Sequence, residues 1–96
     1  MELIIHPRAS KDVREVARKY ARASELVENR FWDEIDRALE SIGSHPERHH
    51  FDPSGMWRFN LKKFPYHILF EERLECIRII VVRYHHRNPS YGLRRR

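Results

Sequence analysis

The sequence predicts an α+β domain with the element order β-α-α-β-β-β, in which an antiparallel twisted sheet carries a helical hairpin on one face. Three observations lead to this prediction. The 96 residues are enough for one hydrophobic core and too few for two. Apolar residues recur at helical spacing in the first half of the chain, whereas alternating and β-branched segments fill the second half. We therefore expect residues 1–96 to form a single domain.

The N-terminal segment predicts a strand followed by a first helix. Leu3-Ile4-Ile5 is a short apolar run that Pro7 ends, as in a strand. Ser10 is a candidate N-cap for the helix that follows. After it, one apolar stripe recurs at helical spacing, at Val13, Val16, Ala17, Tyr20 and Ala21. We expect an amphipathic helix of about three turns.

A second helix is predicted to begin at Ser24, which can act as its N-cap. Glu25 and Glu28 would then lie in its first turn, where the helix dipole favours negative charge. Its apolar stripe consists of Val27, Phe31, Ile35, Ala38, Leu39 and Ile42. Gly43 is a candidate terminator. Two consecutive amphipathic helices predict a helical hairpin.

The second half of the chain predicts a loop and three strands. The segment from Pro46 to Gly55 has no apolar period and is expected to be a loop. The strands are expected at Trp57–Lys62, Tyr66–Glu71 and Cys76–Tyr84. Short turns between them favour an antiparallel meander. Along the first of these strands, polar residues alternate with apolar ones, so we expect the sheet face opposite the helices to be free.

The net charge of +5 is unevenly distributed along the chain. Residues 1–57 carry a net charge of −2, and residues 58–96 carry +7. This asymmetry indicates that the second half faces a polyanion or an acidic protein, and a solvated basic face is the alternative.

No segment has the length and apolarity of a membrane span or a signal peptide, so we expect a cytoplasmic protein without a membrane partner. Cys76 is the single cysteine, which excludes an internal disulfide.

The C-terminal segment from Tyr84 to Arg96 concentrates imidazole, guanidinium and phenol groups. Arginine binds phosphate oxygens through paired donors, histidine exchanges protons near neutral pH, and tyrosine donates a hydrogen bond or stacks on a base. This composition is typical of RNA binding, with low specificity. The paired histidines His49-His50 and His85-His86 do not predict a metal site, because neighbouring side chains on a strand point to opposite faces. We expect neither a metal nor a cofactor.

An ordered series of motifs runs along the chain. It consists of the opening strand and two helices, the segment from Arg58 to Glu71 with its Phe-Pro-Tyr turn, and a Val-rich strand that runs into His85-His86-Arg87-Asn88-Pro89-Ser90-Tyr91. This series resembles the RelE/ParE superfamily of type II toxin–antitoxin toxins. The resemblance covers nearly the whole chain. It implies a toxin that a cognate antitoxin neutralises. One fold in this superfamily supports two outcomes: metal-independent cleavage of mRNA in the ribosome, and poisoning of DNA gyrase.

The resemblance also implies residue roles. RNA cleavage needs a base, cations for the developing phosphorane charge, and an acid. The candidate catalytic residues are Arg58, Lys62, His85, Arg87 and Tyr91, and His86 is an alternative to His85 as the acid or base. The candidate substrate-binding residues are Lys63, His67, Arg83, Arg94 and Arg95. The relatives that cleave RNA often carry an arginine near the position of His67, and many relatives have a tryptophan where this chain has Gly92.

Three functional hypotheses follow from these expectations. The first, which the closely spaced set of Arg58, Lys62, His85, Arg87 and Tyr91 slightly favours, is a ribosome-dependent mRNA endonuclease with the ribosome and mRNA as partners. The second is an inhibitor of DNA gyrase that performs no chemistry. The third is a detoxified relative that retains only antitoxin binding.

A structural interpretation stands beside the catalytic one: His67 can be a hydrogen-bonded interior residue, and Arg87 and Tyr91 can hold the tail on the sheet. The antitoxin is expected to be acidic and partly disordered.

Overall fold

The computed structural model describes residues 1–45 and 50–96. It contains five strands, two long helices and a terminal 3₁₀ turn. Their bounds are β1 Glu2–Ile5, α1 Pro7–Ala23, α2 Glu25–Ser44, β2 His50–Phe51, β3 Trp57–Asn60, β4 Tyr66–Glu72, β5 Cys76–Tyr84 and the 3₁₀ turn Leu93–Arg95. The predicted α+β class and the order of the long elements are confirmed. None of the helices in the described ranges is long and apolar enough to cross a membrane.

The five strands form one sheet in the order β1-β5-β4-β3-β2. The predicted meander of β3, β4 and β5 is confirmed, because these neighbours pair antiparallel. The sheet as a whole is mixed, since β1 pairs in parallel with β5, with Glu2 opposite Cys76 and Ile5 opposite Ile79. Two helices separate β1 from the meander, so no short turn fixes its direction.

The edge strand β2 lies inside the segment that was expected to be a loop. His50 pairs with Arg58 and Phe51 with Trp57, so the chain joins the sheet before it turns at Asp52–Gly55. Phe51 and Trp57 stack with ring centroids 3.8 Å apart. The remainder of the expected loop that precedes β2, residues 46–49, lies outside the described residues.

The ends of the helices differ in part from the prediction. The helix α1 starts at Pro7 and not after Ser10, because the Nδ1 atom of His6 accepts the amide hydrogen of Arg8 and proline suits the first helical position. Ser24 caps α2 as predicted, with its hydroxyl oxygen accepting from the amide of Val27. Gly43 does not end α2, which continues to Ser44.

The main core lies between the helical hairpin and one face of the sheet. Its large buried side chains include Phe31, Ile35, Ile42, Ile68, Phe70, Ile77 and Ile79. An aromatic group in which Tyr20, Phe31, Phe64 and Tyr66 meet at tilted and edge-on angles closes one end of this core. This packing fixes the helices on the sheet.

The opposite face of the sheet is not free, so that expectation is wrong. A second, smaller core of Met56, Leu69, Ile80 and Val81 lies there, and the C-terminal tail covers it with Tyr91 and Leu93. An irregularity in the pairing of β4 with β5 leaves Ile80 without a partner, because Leu69 pairs with Val81 and Phe70 with Ile79. Such a bulge brings the neighbours Ile80 and Val81 together into this second core.

A cleft between the sheet and the C-terminal tail

The tail folds back onto the sheet and is held by Asp12, a buried residue of α1 that is 5% exposed. The Asp12 carboxylate accepts a hydrogen bond from the Tyr91 hydroxyl at 2.8 Å and from the amide of Val82 at 3.1 Å. It also accepts two from the guanidinium of Arg95, at 2.6 and 3.2 Å. This bidentate pair is the geometry that gives arginine–carboxylate contacts their strength. Asp12 therefore joins helix, strand and tail.

Arg83 on β5 is a second anchor for the tail. It is 5% exposed, and its Nη1 donates to the carbonyl oxygens of Pro89 at 2.7 Å and Tyr91 at 3.2 Å. Its Nε donates to Nε2 of His67 at 2.8 Å, and its Nη2 lies 3.5 Å from the carboxylate of Asp52. The guanidinium is thus surrounded by protein acceptors on all its nitrogens.

Asp52 is the counter-charge of this region. One carboxylate oxygen accepts the amide hydrogen of Ser54 at 2.9 Å in the turn after β2, and the other lies 3.3 Å from Nη1 of Arg58. Burial acts to raise the pKa of Asp52, but the hydrogen bonds from Ser54 and the charge of Arg83 outweigh it and hold the pKa below its ordinary value. Asp52 is therefore ionised at neutral pH.

His67 and His85 form a stacked pair beside Arg83. Their rings are 5.2 Å apart and nearly parallel, and their Nδ1 atoms are separated by 3.0 Å. Burial and the charges of Arg58 and Arg83 lower the pKa of His67 to about 3. Burial, with the charges of Arg58 and His86, also lowers the pKa of His85. Both imidazoles are therefore neutral near pH 7.

The proton positions of this pair follow from its donors. Because the guanidinium of Arg83 can only donate, Nε2 of His67 accepts, and the proton of neutral His67 sits on Nδ1. That proton is donated to Nδ1 of His85, so the proton of neutral His85 sits on Nε2. The geometry thus leaves His85 as a donor through Nε2, with its basic nitrogen occupied.

These side chains line a cleft of about 420 Å³ between β3–β5, the Asp52–Ser54 turn and the tail. Of the residues singled out in the sequence, it brings together Arg58, His67, Arg83, His85 and Arg87. The walls also include Pro53, Pro89 and Leu93. Three arginines and one carboxylate give the cleft a net positive charge.

The chain matches, over residues 3–89, the family model described as the ParE toxin of type II toxin–antitoxin system, parDE. The chain belongs to the ParE toxin family. The resemblance to the RelE/ParE superfamily is thereby confirmed. The protein is the toxin component of a type II toxin–antitoxin system, and its family implies a cognate antitoxin. No curated protein shows a significant match to the chain.

The other candidate residues of this ParE-family toxin lie away from the cleft or on its far side. Lys62 and Lys63 are exposed after β3, where the amide of Lys63 donates to the carboxylate of Glu34 on α2. Arg94 is exposed on the tail. Tyr91 and Arg95 are joined to Asp12, so their polar groups are engaged within the fold. The candidate set is therefore divided among the cleft, exposed positions outside it, and the contacts of Tyr91 and Arg95 with Asp12, which we call the clasp.

A groove on the other side of the tail, between α1 and the end of β5, has a volume of about 480 Å³. Its rim carries Lys19, Tyr84, His86 and Arg87. The guanidinium of Arg87 lies 4.1 Å from the centre of the Tyr91 ring, in cation–π contact. The two openings of the ParE-family toxin thus share Arg87, which lies exposed between them.

Sequence reasoning missed the two carboxylates on which the tail depends. Asp12 lies three residues after Ala9 and four before Val16, so it occupies the buried stripe of α1. A charged residue in an apolar stripe predicts a buried partner of opposite charge, so this pattern in the sequence could have identified Asp12. Asp52 opens the Asp-Pro-Ser-Gly turn, where an aspartate commonly caps its own backbone.

Within residues 1–45 and 50–96, no three His, Cys, Asp or Glu side chains meet in a group that could hold a metal ion.

Proposed function

We propose that this ParE-family toxin acts by binding DNA gyrase and performs no chemistry of its own. Family membership supports a toxin of the ParE type. The observation that carries the proposal is that three proton-transfer groups singled out for RNA cleavage are engaged within the fold, Tyr91 with Asp12 and His67 with His85. They are therefore occupied in the resting protein.

RNA cleavage would require a base for the 2′-hydroxyl, an acid for the leaving oxygen and a cation for the phosphorane. The Tyr91 hydroxyl donates to buried Asp12, and burial together with the Asp12 hydrogen bond raises the pKa of Tyr91. His67 is 1% exposed, and His85 has its basic Nδ1 facing His67. An imidazole in that arrangement does not accept a proton from a substrate hydroxyl.

The exposed cations of the second half suit binding to a protein. Lys62, Lys63 and Arg94 extend from one end of the sheet and from the tail, and Arg87 stands between the two grooves. Charges of one sign on a rigid face speed association with a partner of opposite sign and fix its orientation. The clasp at Asp12 supplies that rigidity, because it orders the tail on the folded domain.

An mRNA endonuclease is the second candidate function, and the cleft favours it. Arg58, His85 and Arg87 line one opening and could contact a phosphate together. In this mechanism the ribosome would have to supply or rearrange the proton-transfer groups. Detoxified binding of an antitoxin alone remains the third hypothesis.

Induction of the toxin alone in cells separates these functions. Gyrase binding predicts growth arrest with double-strand breaks and SOS induction, while mapped transcripts show no new 5′ ends within codons. New 5′ ends that disappear in the Arg87→Ala variant would overturn the proposal and favour the endonuclease. Full growth without arrest would favour the detoxified relative. Co-expression with the neighbouring reading frame should restore growth in the first two cases.

A further inference from the structure

The cleft between the sheet and the tail contains hydrogen-bond donors that the fold does not use. We propose that it is a binding site for the carboxylate of an acidic side chain from a protein partner of the toxin, with Arg58, His85 and Arg87 as the donors. This inference rests on the proposed function in that the partner is a protein and not an RNA.

The unused donors can be counted from the contacts of each residue. Arg58 gives its Nε to Asn60 at 2.8 Å and its Nη1 to Asp52 at 3.3 Å, and its Nη2 has no hydrogen bond among the described residues. Its side chain is 27% exposed. Arg87 is exposed and contacts the Tyr91 ring without a hydrogen-bond acceptor in the part of the chain that the structure describes. Two guanidinium groups that line the cleft therefore retain donors without a hydrogen-bond partner in the described part of the chain.

His85 contributes a third donor because its contact with His67 fixes its tautomer. Its Nδ1 accepts from His67, whose orientation is in turn set by Arg83, so its proton is on Nε2. Nε2 makes no hydrogen bond to any residue of 1–45 or 50–96. A neutral donor next to two arginines binds an anion without adding a third charge that would have to be desolvated.

The surroundings fit a single carboxylate better than a nucleic-acid backbone. Asp52 already occupies the floor of the cleft and offsets part of its positive charge. Pro53, Pro89 and Leu93 form apolar walls that suit the methylene groups of an Asp or Glu side chain. Proteins that bind single-stranded RNA commonly stack its bases on aromatic side chains, and no Phe, Tyr or Trp is among the described residues that line this cleft.

The test uses the full-length toxin, labelled with ¹⁵N for NMR of the imidazole nitrogens. The probe is a blocked tripeptide of glutamate, and a dinucleotide monophosphate serves as the competing anion. Before any addition, we expect His85 to show a protonated Nε2 and an unprotonated Nδ1. The glutamate tripeptide should shift the His85 Nε2 signal saturably, and it should bind more tightly than the dinucleotide.

Variants separate the cleft from general electrostatic attraction. Arg87→Ala and Arg58→Ala should each weaken tripeptide binding about tenfold, which corresponds to the loss of one charge-assisted hydrogen bond. Arg37→Ala is the matched control, because it removes an exposed positive charge from α2 and should change binding less than about twofold. If Arg58→Ala unfolds through the loss of its contact with Asp52, the exposed Arg87 still tests the proposal.

Four results would overturn the inference: an unprotonated Nε2 on His85, no saturable binding of the tripeptide, equal weakening by Arg37→Ala and Arg87→Ala, or tighter binding of the dinucleotide. Gyrase inhibition and mRNA cleavage are measured on the same preparations. A toxin that inhibits gyrase but does not bind the tripeptide refutes this inference alone. A toxin that cleaves mRNA refutes the proposed function, and the tripeptide titration is read independently of that result.

Discussion

Replacement of Asp12 by Asn should loosen the C-terminal tail more than any other isosteric change in α1. In the wild type, one carboxylate oxygen accepts from Tyr91 and from Nη2 of Arg95, and the other accepts from Val82 and from Nη1 of Arg95. Asparagine keeps one acceptor oxygen but places an NH₂ group where two donors converge. It also removes the only charge that directly pairs with Arg95 among the described residues, at a site where the arginine side chain is 8% exposed.

The magnitude follows from the burial of this pair. Breaking a buried ion pair by removing one partner costs about 3–5 kcal/mol, since the other charge is left uncompensated. Asparagine preserves the side-chain volume and one acceptor oxygen, so we expect a loss of free energy of unfolding at the lower end of this range, about 3 kcal/mol. A domain of this size has a free energy of unfolding of about 5–15 kcal/mol. The change would therefore remove a large part of the stability.

Urea denaturation followed by tryptophan fluorescence measures this effect. With a denaturant slope of about 1–3 kcal/mol/M, a loss of 3 kcal/mol lowers the midpoint by about 1–3 M. Asp33→Asn on the exposed face of α2 is the matched control and should change stability by less than about 0.5 kcal/mol. A loss below about 1 kcal/mol in Asp12→Asn would refute the clasp as the main support of the tail.

Three further predictions follow from the same contacts. The pKa of His67 is about 3 in the folded protein and about 6.5 in the unfolded chain, so the unfolded chain binds more protons between these pH values. The contribution of His67 to stability is therefore full above about pH 6.5, and it falls by up to about 1.4 kcal/mol per pH unit below that. Urea midpoints plotted against pH should be flatter for His67→Gln than for the wild type, and identical plots would contradict the lowered pKa of His67. Gly92→Ala should lower the free energy of unfolding by about 2–3 kcal/mol in the same assay, because Gly92 has a φ of +82° and an added Cβ would lie 2.5 Å from Cγ2 of Val81. Gly55 has a similar φ but open space around it, so Gly55→Ala is the control and should lower the free energy of unfolding by about 1 kcal/mol. Tyr91→Phe should retain growth arrest on induction while losing about 1–2 kcal/mol of stability, and an inactive but fully stable Tyr91→Phe protein would instead indicate a catalytic hydroxyl.

The sequence predicted the parts of the fold that depend on local periodicity. The stripe of α2, the stripe of α1 apart from the exposed Ala21, the cap at Ser24 and the β-branched run at Cys76–Tyr84 appear where expected. Side-chain spacing reports directly on one buried face. Short turns between successive strands similarly fixed the antiparallel meander. The direction of β1 could not be inferred, since its partner β5 is distant in sequence and apolar runs pair in either direction.

The candidate site was predicted less completely, for a physical reason. The basic residues of the second half could be read as a group, but whether an arginine binds a ligand or a buried carboxylate depends on long-range contacts. Arg95 pairs with Asp12 across 83 positions of the chain, and Arg58 and Arg83 share Asp52. Composition alone does not separate such residues from Arg87 and Arg94, which remain exposed.

The most direct test of the central claim is the supercoiling of relaxed plasmid by purified DNA gyrase in the presence of the purified toxin. We expect the wild-type protein to inhibit supercoiling and the folded Tyr91→Phe variant to inhibit it to a similar extent, because the Tyr91 hydroxyl is bound to Asp12 and performs no proton transfer in this mechanism. Unchanged supercoiling at a large molar excess of folded toxin, together with cleavage of ribosome-bound mRNA that Tyr91→Phe abolishes, would contradict the account.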